Sequence, residues 1–526
     1  MPGQFALILH AHLPFVRHPE HEKFLEESWL FEAITETYVP LVQLLAGWER
    51  DHVPARFTLT LTPTLCTMLL DPLLRDRYAR RLDSLIALTQ KEVRRTRRHA
   101  RLQEVARMYR HRFQAVRKTY HEYQGNLVGA FRRFQNSGRL EIITCAATHA
   151  LLPLLVEHPP SLRAQLRTAC DHHRTWFGEA PRGIWLPECA YTPELDQALQ
   201  EAGLRWFITE THGLQRARPR PVYDVFAPVF TPHGLAAFGR DRRSAEQVWS
   251  REAGYPGDPW YRDFYRDIGF DLDFDYVQPC LPAPHVRGFT GIKYHRITGA
   301  GADAKEVYSP ADAQRVLTGH VEHFFQERRR QFQRLNEIMD RPPLVVAPYD
   351  AELFGHWWHE GPDFLDGFAR RTAQNPEAFE LTTPTEYLRT HSTQQVATPA
   401  ASSWGEDGHW RVWLNEKNEW IYPHLRVAQE RMTELARRFP EHGGGVNKRA
   451  LKQAAREVLL AQASDWPFIL RNDTSPGYAR QRVETHLLRF TALYEQLCAG
   501  KIDEPALVHL EGTDNIFPHI NYRYWR

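Results

Sequence analysis

Four apolar runs of this chain give way to loop at a polar residue. "FALILHAHLP" ends in His10 and His12, "LEIITCAATHALLP" in His149, "GIWLPECAY" in Glu188 and "PLVVAPYDAELFG" in Asp350. A lone strand-end histidine is ordinarily hydrogen-bonded scaffolding, and a lone acid ordinarily caps a helix. Four coincidences, two of them carboxylates, fit a reactive site better. Two carboxylates across a sugar-sized cleft can carry out glycoside chemistry. One attacks the anomeric carbon; the other protonates the leaving oxygen and then activates the acceptor. The two need unlike protonation states. Burial and a like-charged neighbour keep one protonated, while donors such as the histidines keep the other ionised. The histidines can also hold sugar hydroxyls. A second reading stays open: "HAH" after a first strand, with a later His and Asp, is also how barrel-type metal hydrolases gather their ligands. Glu188 would then be a further ligand or a base.

The elements that must position these residues alternate. β-rich runs at 5–10, 56–63, 140–149, 183–188, 205–211 and 343–350 are each followed by a longer helical pattern. Such βα repetition predicts an α/β fold with a mostly parallel sheet, and continuous apolar runs mean strands covered on both faces. Reactive residues at many strand ends favour a β/α barrel over an open sheet, because a barrel gathers those ends at one rim. Two stretches interrupt the pattern. Residues 74–135 read as long basic amphipathic helices, a solvated insertion within a barrel domain spanning 1–73 and 136–395. From 396 to 526 a linker-like "ATPAASSWGEDGHW" leads into amphipathic helices, a C-terminal helical domain. Asp465, in "ASDWPF", follows one of these helices and either reaches the cleft or caps a helix.

Bulk properties narrow the class. The 526 residues are 42% hydrophobic and 25% charged, ordinary globular values, and the net charge of +2 offers no general attraction to nucleic acid or membranes. Six cysteines show neither metal spacing nor a dense disulfide framework. The start, "MPGQFALILHAHLP", has no basic leader, and no apolar run reaches membrane-spanning length, so a cytoplasmic protein is expected. Aromatic residues reach 12%, many in Gly/Pro-rich or polar segments. Each ring alone is ordinary packing, but together they suit a surface that stacks the flat apolar faces of sugars.

On these motifs the chain resembles glycoside hydrolase family 57, and its 1,4-α-glucan branching subgroup in particular. "HAHLP", "GRLEIITCAATHALLP", "GIWLPECAY", "PYDAELFGHWWHEG" and "SSWGEDGHWRVWLNEKNEW" resemble the five family motifs in order, with Leu13 where many relatives carry Gln. "QVWSREAGYPGDPWYRDFYRDIGFDL", "GIKYHRITG", "ASDWPF" and "DNIFPHINYR" look like the branching subgroup. The resemblance implies an incomplete seven-stranded β/α barrel and a retaining mechanism without metal or other cofactor. It implies Glu188 as nucleophile and Asp350 as general acid/base. Internal α-1,4 bonds of an α-glucan would be cleaved and the chain transferred to a 6-hydroxyl, as in glycogen biosynthesis, by a monomer or homodimer. An α-amylase or 4-α-glucanotransferase on the same scaffold is the alternative. Trp260, Trp404 and Trp413 match substrate-facing rings, and Tyr223 matches an aromatic at the tip of a mobile loop that favours transfer over hydrolysis. Asp224 stands where Gly is expected, which predicts a stiffer or differently shaped turn.

Overall fold

Alternation along one strand shows how the molecule is layered. In β1 (Gly3–Ala11), Ala6 and Ile8 join an interior cluster with Ile143, Cys145, Trp206, Ile208, Ala236, Phe238, Leu344 and Val346. Phe5, Leu7 and Leu9, one step out of phase, pack into the larger core shared with the helices. A strand buried on both faces belongs inside a helix-covered parallel sheet, with barrel filling on one side and helices on the other. The computed structural model describes residues 2–250, 253–299, 304–440 and 444–526.

The further strands are β2 (Phe57–Leu61), β3 (Leu140–Ile143), β4 (Gly183–Ile184), β5 (Trp206–Thr209), β6 (Val229–Phe230), β7 (Ala236–Gly239), β8 (Leu344–Asp350) and β9 (Phe379–Leu381). One sheet runs β3-β2-β1-β8, with β9 added beside the start of β1; the other runs β4-β5-β7-β6. A parallel bridge, Thr144 to Ile184, joins β3 to β4. The Asp241 N–H donates to the Val346 carbonyl at 2.9 Å and joins the end of β7 to β8. The ring β1-β2-β3-β4-β5-β7-β8 is therefore a seven-stranded barrel closed by thin seams, an incomplete (β/α) barrel. At Gly183 a Cβ would lie 2.3 Å from the Trp206 indole, so β4 can approach β5 only with glycine there.

Register then places chemistry. His10 pairs with Thr60 on β2 and with Asp350 on β8. Two-residue periodicity carries the inward face from Ala6 and Ile8 to His10, and from Leu344 and Val346 to Asp350. Both residues sit on the inward face at the carboxyl rim.

Outside the ring, the helix Pro72–Arg95 starts at Asp71, whose carboxylate accepts the Leu74 N–H at 3.1 Å, with proline in the first turn. It buries Leu74, Tyr78, Leu82, Leu85 and Ile86, and the next helix, Ala100–Glu122, buries Val105, Tyr109, Phe113 and Val116. This spacing of apolar positions at three and four leaves most of the arginines outside, while Arg77 turns inward to pair with the buried Glu27. At the C-terminal end, helices Ile421–Arg438, Val446–Ala461, Asp465–Asn472, Pro476–Ala499 and Glu504–Thr513 follow one another. The Ala150–Ala463 bridge ties them to the barrel. No helix among the described residues is long and apolar enough to cross a membrane.

Candidate active site

Just past β4 the chain takes an uncommon path. Glu188 and Cys189 both adopt left-handed backbone conformations, with φ of 62° and 49°. For side chains with a Cβ this costs on the order of 1–3 kcal/mol each, and surrounding contacts must hold it. The Trp404 N–H donates to the Glu188 carbonyl at 3.1 Å, and Tyr191 pairs with Ser402 as an antiparallel bridge. The turn presents the Glu188 carboxylate to two donors, Trp404 Nε1–H at 2.8 Å and Ser464 Oγ–H at 3.2 Å.

The histidines stand beside it in a stack. The His12 and His149 rings are 3.8 Å apart and 12° from parallel, and His10 lies 4.4 Å from Trp185 at 6°. Each of the two stacked rings is engaged at both nitrogens. His12 Nε2 donates to Asp465 at 3.0 Å while its Nδ1 meets Thr62 Oγ1 at 3.0 Å. His149 Nδ1 meets Ser464 Oγ at 2.8 Å, and its Nε2 meets His10 Nε2 at 3.0 Å. Ligand atoms of His12, His149 and Asp465 fall within 4.8 Å of one another, the spacing a metal reading needs. Face-to-face stacking keeps their in-plane lone pairs in parallel planes instead of converging on one ion. The protein hydrogen bonds favour the carboxylate reading.

Electrostatics separates the two acids. Burial pushes Glu188 up to about 7, against the pull of Trp404, His12 and Ser464 and with a push from Asp465. Burial pushes Asp350 well above the usual carboxylate range, and the charges of Glu352 and Glu188 push it the same way. Hydrogen-bond donors offset part of the burial at Glu188, whereas at Asp350 two negative charges add to it and Arg240 alone opposes. That contrast suits a proton donor beside an ionisable nucleophile.

The other residues singled out from sequence fall in different places. Asp465 opens the helix Asp465–Asn472, and its carboxylate reaches His12. Trp404 touches Glu188 directly, and the half-exposed Trp249 stacks over it at 6.1 Å and 22°. Trp413 corrects the expectation of a sugar-facing ring. Only 1% exposed, it packs with Leu151 and Ala190 and fills the space above Gly405. In this conformation it props the Trp404 loop. Trp260 is partly exposed, with Arg296 over its ring at 4.4 Å and its N–H on Asp258. No contact of Trp260 among the described residues reaches the acids, so its match to a substrate-facing ring stays unsupported. Arg251 and Glu252, in the same sequence motif, lie outside the described residues.

Tyr223 requires the larger correction. Its hydroxyl donates to Asp340 at 2.5 Å and Arg341 lies over its ring at 5.0 Å, while the nearby Phe226 carbonyl accepts the Leu344 N–H. These partners flank the amino end of β8, and Asp350 closes its carboxyl end. Six residue-to-residue steps of strand separate the two ends, roughly 20 Å. Tyr223 is therefore on the opposite rim from the acids, held by an ionic and hydrogen-bonded clasp. Asp224 takes φ 52°, so the turn does use the left-handed region where Gly was expected. Substituting Tyr223 by Ala is expected to leave the ratio of new α-1,6 linkages to new reducing ends unchanged in amylose digests. A shift toward hydrolysis would return this residue to the reaction.

Several contributors escaped the sequence reading. Glu352 accepts from the Tyr38 hydroxyl and from the His12 N–H, and it raises Asp350. It stands two residues past Asp350, where strand parity could have flagged it. Ser464 is the neighbour of Asp465 and carried only that signal. Arg240 pairs with Glu210 at 3.0 Å and lies 5.8 Å over the Trp404 ring; nothing local in the sequence marked it.

Comparison with known proteins follows the same lines. The family model described as Glycosyl hydrolase family 57 matches residues 6–400, and the model described as 1,4-alpha-glucan branching enzyme, C-terminal, matches residues 424–525. A 1,4-alpha-glucan branching enzyme of Thermococcus kodakarensis is 32% identical over 98% of this chain and 78% of its own length. Among solved structures, the alpha-amylase AmyC of Thermotoga maritima is 43% identical with a TM-score of 0.94, over 100% of this chain and 99% of that one. A branching enzyme of this type from Pyrococcus horikoshii is 31% identical with a TM-score of 0.88, over 100% and 97%.

Proposed function

Because the chain belongs to glycosyl hydrolase family 57, we propose that it is a retaining 1,4-α-glucan branching enzyme whose two acids are Glu188 and Asp350. The observation that carries the chemistry is the unequal treatment of these carboxylates: Trp404 and Ser464 donate to Glu188, while burial and two negative charges raise Asp350. Glu188 attacks the anomeric carbon of an internal α-1,4 linkage as Asp350 hands its proton to the departing chain. The ionised Asp350 then takes a proton from a glucan 6-hydroxyl, and that oxygen displaces Glu188, leaving an α-1,6 branch. Charge balances at each step, with the proton returning to Asp350. Water competes for the same intermediate, so the acceptor must be held in place. Trp404 and Trp249 offer ring faces for it beside Glu188.

In the same reading the barrel, its helical insertion at 74–135 and the helices after 396 are three units around one cleft, the last supplying Ser464 and Asp465. His10, His12 and His149 line the cleft floor. The substrate is a glycogen-like α-glucan, and the enzyme works in the cytoplasm without a metal, as a monomer or homodimer. The second reading is an α-amylase on this scaffold, favoured by the 43% identity to AmyC. Incubation with amylose separates the two. Branching predicts α-1,6 linkages, counted by isoamylase debranching or proton NMR, in clear excess over new reducing ends. Reducing ends without α-1,6 linkages would establish the amylase.

A further inference from the structure

Glu188 ends a row of hydrogen bonds, and that row has a direction. It runs from His10 Nε2 to His149 Nε2 at 3.0 Å, from His149 Nδ1 to Ser464 Oγ at 2.8 Å, and from Ser464 Oγ to Glu188 Oε1 at 3.2 Å. An ionised carboxylate only accepts, so the single Ser464 hydroxyl proton must point at Glu188. The Ser464 oxygen then accepts, which requires the proton of His149 on Nδ1. A neutral imidazole has one N–H, so His149 Nε2 is bare and accepts from His10 Nε2–H. Both rings are of the neutral kind: burial and the nearby His12 hold them well below the ordinary histidine range. The last nitrogen, His10 Nδ1, carries no proton in this scheme, and it is buried with no hydrogen-bond partner among the described residues. One condition, an ionised Glu188, thus fixes every proton in the row.

Protonating Glu188 on Oε1 disturbs all of it. The new O–H would donate to Ser464, whose own proton would turn to His149 Nδ1, and both imidazoles would have to change tautomer. His10 would end with its N–H on Nδ1, buried and without an acceptor. The row therefore opposes a proton on Oε1, the oxygen that Ser464 faces.

Ser464 is also seated to do this. Its N–H donates to the His149 carbonyl at 3.1 Å, beside the Ala150–Ala463 bridge. The same joint that fastens the C-terminal helices to the barrel therefore sets the angle of the hydroxyl. Other charged or titratable groups that face Glu188 are Asp465 and His12 from the two sides of the cleft, Asp350 from β8, Cys145 past β3 and the adjoining Cys189. Arg240, paired with Glu210, lies beyond Cys189. A serine substitution adds or removes none of these charges.

We infer that Ser464 is a positioning residue for the nucleophile: oriented by His149 and His10, it directs its hydroxyl proton at Glu188 and holds that carboxylate ionised. The inference rests on the assignment of Glu188 as nucleophile. Its test is the pH profile of kcat/KM on amylose for Ser464→Ala and Ser464→Thr, alongside the parent. In Ser464→Ala the acid limb moves to higher pH by about one unit, since one of two donors to the carboxylate is gone. Ser464→Thr, which keeps the hydroxyl, returns the limb toward the parent's position. An acid limb that stays put in a folded Ser464→Ala protein overturns the role. A second readout needs no variant: ¹⁵N-histidine NMR of the full chain at pH 9, above the range in which Glu188 titrates, is expected to show His149 protonated at Nδ1 and His10 at Nε2. A His149 resonance with its proton on Nε2 overturns the direction of the row. The two levels fail separately. Turnover surviving Glu188→Gln refutes the nucleophile, whereas an unmoved limb with Glu188→Gln inactive refutes only the part given to Ser464.

Discussion

Replacing Glu188 by Gln lowers both transfer and hydrolysis by roughly 10⁴-fold or more, the scale seen when a catalytic nucleophile is removed. No neighbour can substitute. His149 Nδ1 lies 3.8 Å from the carboxylate but is committed to Ser464, and Asp465 is committed to His12. The fold survives the change and gains from it above neutral pH. Glu188 is raised from the ordinary carboxylate range to about 7, so the folded state holds a proton that the unfolded chain releases near pH 4.5. Its contribution to stability is present at low pH and is lost as pH rises through that window, amounting to about 3 kcal/mol by pH 8. Glutamine carries no such titration. Melting at pH 8 is expected to show the variant at or above the parent's Tm, with no turnover. A variant that melts many degrees lower would mean the carboxylate holds the structure together and its activity loss says nothing of chemistry.

Replacing Asp350 by Asn gives a different signature. Proton donation typically contributes 10²–10⁴-fold, so turnover of amylose falls by about that factor. The loss depends on the leaving group. A maltooligosaccharyl fluoride, whose fluoride departs without a proton, is still attacked by Glu188, but the variant lacks the base that would activate an acceptor. The first step then outruns the second and the intermediate accumulates. Equal losses on amylose and on the fluoride would remove Asp350 from the acid role.

How far these assignments could be read from sequence depends on which physical signal each residue left. His10 and Asp350 were legible because they end long apolar strands, where two-residue parity tells which face they occupy. The strand before Glu188 is only two paired residues long, yet "GIWLPE" stood out because Trp185 and Leu186 continue its burial into the turn. The strand Ala236–Gly239 was missed: "AAFG" lacks the β-branched residues that mark a strand, and it is one because β5 and β6 pair with it. Rings were the least legible class. Trp404 and Trp413 belong to one motif, and only packing shows that the first meets Glu188 while the second is sealed behind it. Tyr223 sits in a proline-rich loop of the kind that carries function, but a loop's composition does not say which end of a barrel it serves. Asp340 and Arg341 decided that. Ser464 and Thr62 act through single hydroxyls, which leave no periodic trace in a sequence.

The fluoride also provides the most direct test of the whole account. Asp350→Asn protein is incubated with maltooligosaccharyl fluoride, quenched in acid, digested with protease and analysed by peptide mass spectrometry. A double displacement through Glu188 predicts a glycosyl adduct on the peptide carrying "GIWLPECAY", with fragment ions placing the sugar on Glu188. An adduct on any other residue, or fluoride turnover with no adduct and an inverted anomer as product, would contradict it.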